Sequence, residues 1–261
     1  MFDSHCHLDF AVFDTDREQL MERAIKQGLT GLIIPGTQAQ RWQQQIQLCE
    51  QLNQQFSPDF NCYFALGLHP YFAKPESLAQ LTELETALQQ YKSNVVALGE
   101  IGLDQAIEVP VNLQTQLFSE QLQLAKQFKL PVILHHRKSH HLLMQHIKAR
   151  QFNYGGIIHA FSGSYQQAKA YIDEGFMLGI GGTITYPRAA KTRETVTKLP
   201  LDVLVLETDA PDMPINGRQG QRNSPEYLIN IAKSLAELQN RSVENVIELT
   251  SENVGRALRL N

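Results

Sequence analysis

Short apolar runs rich in β-branched residues recur along the chain, separated by longer segments whose apolar positions return every three or four residues. The short runs predict strands over Met1 to Leu8, Leu29 to Pro35, Cys62 to Pro70, Val95 to Asp104, Pro131 to Arg137, Gly155 to Phe161, Phe176 to Thr183 and Val203 to Asp209. The longer segments predict helices. Trp42, Ile46, Cys49, Leu52 and Phe56 share one helical face, and Leu228, Ile231, Ala232, Leu235 and Leu238 share another. Ser224 followed by Pro225 reads as a helix start, and Ser242 and Thr250 read as caps of closing helices. The Gln-rich stretch from Gln38 to Gln55 keeps helical spacing and is expected to be a helix with a solvated face. Strand then helix, eight times, predicts a parallel α/β fold closed as a TIM-type (β/α)8 barrel. A doubly wound open sheet would carry a GxGxxG turn after the first strand, and none is there.

The chain has 261 residues, close to the ~250 of one such barrel, so residues 1–261 are expected to form a single domain. No stretch reaches the ~18 apolar residues of a membrane helix. The N-terminus, with Asp3 and two His in its first seven residues, lacks the basic and apolar regions of a secretory signal, so the cytoplasm is the expected location. Cys6, Cys49 and Cys62 form no CxxC and leave one unpaired, which points to reduced thiols. A formal charge of −4 argues against non-specific coating of nucleic acid but leaves room for a local basic site.

The candidate chemistry falls at strand ends. His5 and His7 close the first strand, His69 the third, Glu100 the fourth, His135 the fifth, His159 the sixth and Asp209 the eighth. In a barrel, catalytic groups come from the C-terminal ends of different strands, so these residues converge on one mouth. Successive strand side chains alternate between faces, which puts His5 with His7, His135 with Arg137, and Glu207 with Asp209, and turns Cys6 and His136 outward. Burying so many ionisable groups without partners is costly, and a bound cation removes the difficulty. Imidazoles with carboxylates suit Zn²⁺, Mn²⁺, Co²⁺ or Ni²⁺ better than Ca²⁺ or Mg²⁺. The surplus over three protein ligands points to two metals, with Glu100 the natural bridge. Any one of these His, taken alone, is more often a hydrogen-bonded core or surface residue; HxH on the first strand combined with His, His and Asp on strands five, six and eight is what carries the reading. Asp3 and Glu207 are expected to orient ligand imidazoles. His140, His141 and His146 are expected to lie on a solvated helix.

Six ordered segments then acquire a meaning together: Asp3-Ser-His5-Cys-His7-Leu-Asp9, Gly67-Leu-His69-Pro70, Gly99-Glu100-Ile-Gly-Leu-Asp104, Pro131-Val-Ile-Leu-His135-His-Arg137, His159-Ala-Phe-Ser-Gly163 and Leu206-Glu207-Thr-Asp209-Ala-Pro211. With Arg222-Asn-Ser-Pro225 and Asn253, they resemble the TatD family of metal-dependent hydrolases, of the amidohydrolase-like barrel superfamily. The resemblance spans essentially the whole chain. It implies a site for two divalent ions (Zn, Mn, Co, Ni or Mg) held by His5, His7, Glu100, His135, His159 and Asp209. It also implies a deoxyribonuclease acting 3′ to 5′ on single-stranded DNA, with Asp209 and Glu100 as catalytic groups and His69, Arg137 and Arg222 as contacts to the substrate. The chain departs from many relatives after Asp104, where Gln105 and Ala106 replace aromatics that could stack on a base. Hydrolysis of an amide or ester of a small molecule is therefore the competing expectation. A purely structural metal site, closed and tetrahedral, fits this surplus of ligands poorly.

Overall fold

The computed structural model describes residues 1–260. Its eight strands form one parallel sheet in sequential order: β1 (Phe2–Asp3), β2 (Gly31–Ile34), β3 (Asn61–Leu66), β4 (Val95–Asp104), β5 (Val132–Arg137), β6 (Gly156–Ile158), β7 (Phe176–Ile180) and β8 (Leu204–Leu206). The sheet closes from β8 to β1 through backbone bonds: Ser4 N–H donates to Leu206 O at 2.9 Å, Asp209 N–H to His5 O at 2.9 Å and His7 N–H to Ala210 O at 2.8 Å. A (β/α)8 barrel results. The helices that follow the strands are α1 (Arg17–Lys26), α2 (Ala39–Phe56), α3 (Gln80–Gln90), α4 (Val111–Phe128), α5 (His140–Ala149), α6 (Tyr165–Asp173), α7 (Ala190–Lys198) and α8 (Leu228–Gln239), and α9 (Val243–Leu258) follows α8 directly.

Only β4 and β5 reach as far towards the mouth as the sequence pattern suggests. β1 is two residues long, and β6 and β8 are three each, because the chain leaves the ladder where the site begins. Ala160 and Asp209 take left-handed backbone angles, φ 46° and 57°, which turn the chain out of strand geometry just past β6 and β8. His69 likewise lies beyond β3, capping a short 3-10 helix at Pro70–Phe72.

The helix readings hold with two corrections. Gln45, in the Gln-rich α2, is buried: its amide donates to Ile34 O at 2.7 Å and Ala65 O at 2.8 Å, pinning the helix to the ends of β2 and β3. Ser242 does cap α9, accepting from Asn245 N–H, but Thr250 lies inside that helix. Its hydroxyl is satisfied by Val246 O one turn back, at 2.7 Å, so it starts nothing.

Below the mouth the barrel is filled with apolar side chains. Ile33, Ala65, Ala97, Ile133, Ile157 and Val205 form one cluster with Val254 and Leu258 of α9. The ninth helix thus plugs the floor, and Asn253 locks it there by donating to Leu201 O at 2.8 Å and Leu204 O at 2.6 Å.

Candidate metal centre

Parity links floor to site. Ile133, Ile157 and Val205 point into the barrel, and two residues on along each chain stand His135, His159 and Glu207. β4 does not obey the simple count. Ala97 points inward, so an unbroken strand would send Glu100 outward; instead the register against β5 shifts between Leu98 and Ile101, and Glu100 ends up inside, only 1% exposed. Close approach makes room for this. Gly36 and β4 exchange backbone bonds, Gly36 N–H to Gly99 O at 2.9 Å and Glu100 N–H to Gly36 O at 2.8 Å. A Cβ on Gly99 would lie 2.7 Å from Cβ of Ile133, and one on Gly67 would lie 2.8 Å from the Gly99 carbonyl carbon.

Glu100 is the centre of the cluster. Its Oε2 lies 3.0 Å from His5 Nε2 and 3.5 Å from His7 Nε2, with Asp209 Oδ1 3.7 and 3.8 Å from the same two nitrogens. Its Oε1 lies 2.9 Å from His135 Nδ1, 3.1 Å from His69 Nε2 and 3.9 Å from His159 Nε2, and His159 Nε2 is also 3.6 Å from Asp209 Oδ2. The two oxygens of one carboxylate therefore face two different donor sets. Three groups of ligand atoms close enough for one ion emerge: His5, His159 and Asp209; His5, His7 and Glu100; and His69, Glu100 and His135.

The donor chemistry fits a divalent cation. His5 Nε2 and His7 Nε2 approach within 3.2 Å, both buried and both aimed at carboxylate oxygens. Burial alone would lower the pKa of His159, but Glu207, Asp209 and Glu100 outweigh it and push the ring up to about 10. His7 and His135 are raised too, against burial, chiefly through Glu100 for His7 and through Asp104 and Glu100 for His135. Protons thus gather on His7, His135 and His159, where the surrounding carboxylates demand positive charge, while burial and then His159 push His5 well down; a borderline cation meets the same demand.

His69 belongs to the third group by distance but not by tautomer. Its Nδ1 accepts the backbone N–H of Tyr71 at 3.0 Å, so a neutral ring carries its proton on Nε2. Burial pushes its pKa down to about 4, so the ring is neutral. Nε2 is then a donor at the cavity, 3.1 Å from Glu100 Oε1, and would have to turn from that carboxylate oxygen, or share its proton with it, to contact a substrate oxygen.

The surrounding groups refine the expectations. Glu207 Oε1 lies 3.0 Å from His159 Nδ1, which leaves Nε2 facing the cluster. Gly179 on β7 makes space for it, since a side chain there would collide with the Glu207 carboxylate. Asp3 plays another part than expected: its oxygens take the N–H groups of His5 and Thr208 at 3.2 and 2.9 Å and the Thr208 hydroxyl at 2.6 Å, so it fixes backbone and no imidazole. Asp104, given no role by the sequence, lies 3.2 Å from His135 Nε2 and can hold that ring with Nδ1 toward Glu100. Its place on β4, two residues past Gly102 and level with Arg137 on β5, was the available signal.

His140 is half-buried, bonded to Tyr171 Oη and Ser162 O at 3.1 Å each, and so is not simply solvated; His141 is exposed. Arg137 is exposed and lines the cavity. Arg222 is committed elsewhere: its guanidinium meets Asp16 at 2.8 and 2.5 Å and Val12 O at 2.7 Å and lies over the Phe13 ring. The cluster opens into a cavity of about 370 Å³ that includes His7, His69, Glu100, His135, Arg137, His159 and Asp209. A groove of about 650 Å³, bordered by Arg41 and Arg222, continues from it through Phe10, Phe72 and Asp212.

The family described as TatD related DNase matches residues 2–259. An uncharacterized metal-dependent hydrolase of Escherichia coli, YjjV, is 43% identical over 252 residues, covering 96% of this chain and 95% of its own. The crystal structure of YjjV superposes with a TM-score of 0.92 at 41% identity, over 100% of this chain and 98% of that one. A 3′-5′ ssDNA/RNA exonuclease TatD from a Rahnella species is 32% identical over 271 residues, covering 100% of this chain and 99% of its own.

Proposed function

This chain belongs to the TatD family of metal-dependent hydrolases, and from that premise we propose that it is a phosphodiesterase removing nucleotides 3′ to 5′ from single-stranded DNA. The observation that carries the reading is the division of Glu100, with one oxygen toward His5 and His7 and the other toward His135 and His159. In this reading His5, His7, Glu100, His135, His159 and Asp209 would hold two divalent ions. Such ions supply two things when bound: a lowered pKa for water and neutralisation of charge on a phosphodiester.

The chain's own residues do the rest. Burial raises the Asp209 carboxyl to about 6 in the metal-free chain, partly offset by His159 and His7, and its place beside His5, His7 and His159 suits it to accept the proton of the attacking water. The water oxygen bonds to phosphorus as the ester P–O bond breaks, and the departing oxygen leaves as a hydroxyl with a proton returned by Asp209 or taken from solvent. His69 Nε2–H and the Arg137 guanidinium, which makes no side-chain hydrogen bond among the described residues, donate to the phosphate oxygens. Arg222, already bound to Asp16, shapes the groove wall instead. A cytoplasmic location accords with three buried free thiols, and none of the described helices is long and apolar enough to cross a membrane.

The test is a metal-replete assay of single-stranded DNA beside a panel of small amides and esters. Release of nucleotides from the 3′ end supports the proposal. Turnover of an amide or ester with inert DNA would replace it with small-molecule hydrolysis.

A further inference from the structure

Four large hydrophobic side chains are conspicuously exposed among the described residues, and two of them, Val12 and Tyr71, border the joined cavities at the barrel mouth. Tyr71 is the more open, at 60% exposure, and so contributes little to the core. Its position is nevertheless fixed. Pro70 starts the 3-10 helix that carries it, its backbone N–H holds His69 Nδ1 at 3.0 Å, and its ring meets Phe72 edge-on with centroids 5.1 Å apart. Phe72 in turn packs edge-on against His69 at 5.9 Å and forms the wall shared by cavity and groove. The other aromatic at the mouth, Phe10, is already engaged, stacked 4.8 Å from His7 with the Arg41 guanidinium 4.9 Å from its centroid.

We propose that Tyr71 and Phe72 form a nucleobase subsite, Tyr71 offering its ring face and Phe72 the wall, which seats the base next to the scissile phosphate. The proposal rests on the nuclease reading and deepens it. A base stacks on an aromatic face whatever its identity, so this subsite holds a strand without choosing its sequence. The same helix turn sets both the His69 donor and the Tyr71 ring, so a base seated on Tyr71 brings its phosphate within reach of His69. The segment after Asp104, where Gln105 and Ala106 are exposed and carry no ring, then has no stacking to perform.

The test pairs two substrates with two variants. Single-stranded DNA with an ordinary 3′-terminal residue is compared with the same strand carrying an abasic 3′-terminal residue, for wild type, Tyr71→Ala and Tyr71→Phe. For wild type, the base-bearing strand is expected to have the higher kcat/KM, by on the order of ten-fold. Tyr71→Ala is expected to collapse that ratio toward one, mostly through KM, and Tyr71→Phe to restore it. An unchanged ratio in Tyr71→Ala overturns the subsite even if both rates fall together, since equal loss means a structural role. Cleavage of neither strand by the wild type is a different result, the failure of the nuclease reading itself.

Discussion

The two ends of one barrel are built from the same strands and do opposite things. At the floor, Ile133, Ile157 and Val205 pack with Val254 and Leu258 into a buried apolar cluster. Two residues further along, His135, His159 and Glu207 belong to a mouth where imidazole nitrogens and carboxylate oxygens lie 2.9 to 3.9 Å apart. The difference is one of purpose. The floor supplies stability through burial, and the mouth holds together charges that a folded chain would otherwise avoid. Substitutions at the two ends should therefore separate activity from stability.

The largest effect is expected from Glu100→Gln. With the carboxylate that faces both donor sets made neutral, hydrolysis should fall by about 10³-fold or more, and elemental analysis should show less bound metal than in wild type. Asp209→Asn should lose about 10²- to 10⁴-fold in kcat while circular dichroism shows an intact fold. The comparison breaks if either variant retains near-wild-type turnover. Metal supplementation should raise the wild-type Tm by mass action but leave that of Glu100→Gln nearly unmoved.

At the floor the expected loss is of another kind. Ile133→Ala removes a fully buried side chain between β5 and the α9 plug and should cost about 2–5 kcal/mol in denaturant unfolding. Metal stoichiometry and kcat of the folded fraction should stay as in wild type. Loss of bound metal in this variant would show that floor and mouth are not separable.

Asp104→Asn sharpens the boundary of the mouth. The carboxylate lies 3.2 Å from His135 Nε2, and losing it should weaken metal affinity by about 10- to 100-fold, read by competition with a chelating dye. An unchanged affinity would make Asp104 a strand-end residue only.

What the sequence made legible divides along the same line. The period-two alternation that marks a strand also reports which residues share its inner face, so His135, His159 and Asp209 could be placed at one mouth from pattern alone. Glu100 could not be phased that way, because the register shift in β4 depends on β5 and on the close approach of Gly36, Gly67 and Gly99, which no local pattern encodes. α9 was legible as a helix, from its cap at Ser242, but not as a plug, because its partners come from strands scattered over the whole chain. The roles of Asp3 and Asp104 were hidden for the same reason: parity gives the direction of a side chain, and only the assembled barrel says whether it meets an imidazole or a backbone N–H.

Arg222 is where a motif match and the geometry part most clearly, and it carries the smallest predicted effect. Its place in a motif that resembles the family's C-terminal signature makes it a candidate contact for a substrate phosphate, but the guanidinium fork meets both Asp16 oxygens and Val12 O. With three of its five N–H donors and its charge taken by these partners, it has less to give a phosphate than Arg137 does. Arg222→Met keeps much of the side-chain bulk over Phe13 and removes the charge. Because the pair is partly exposed, the expected stability loss is at most about 1 kcal/mol, and KM for single-stranded DNA should change less than about three-fold. Arg137→Met, which removes a cation that lines the cavity and makes no side-chain hydrogen bond among the described residues, should raise KM more. If instead Arg222→Met raises KM tenfold, and Asp16→Asn lowers it by freeing the fork, the arginine exchanges partners when substrate arrives and the groove wall belongs to the mouth.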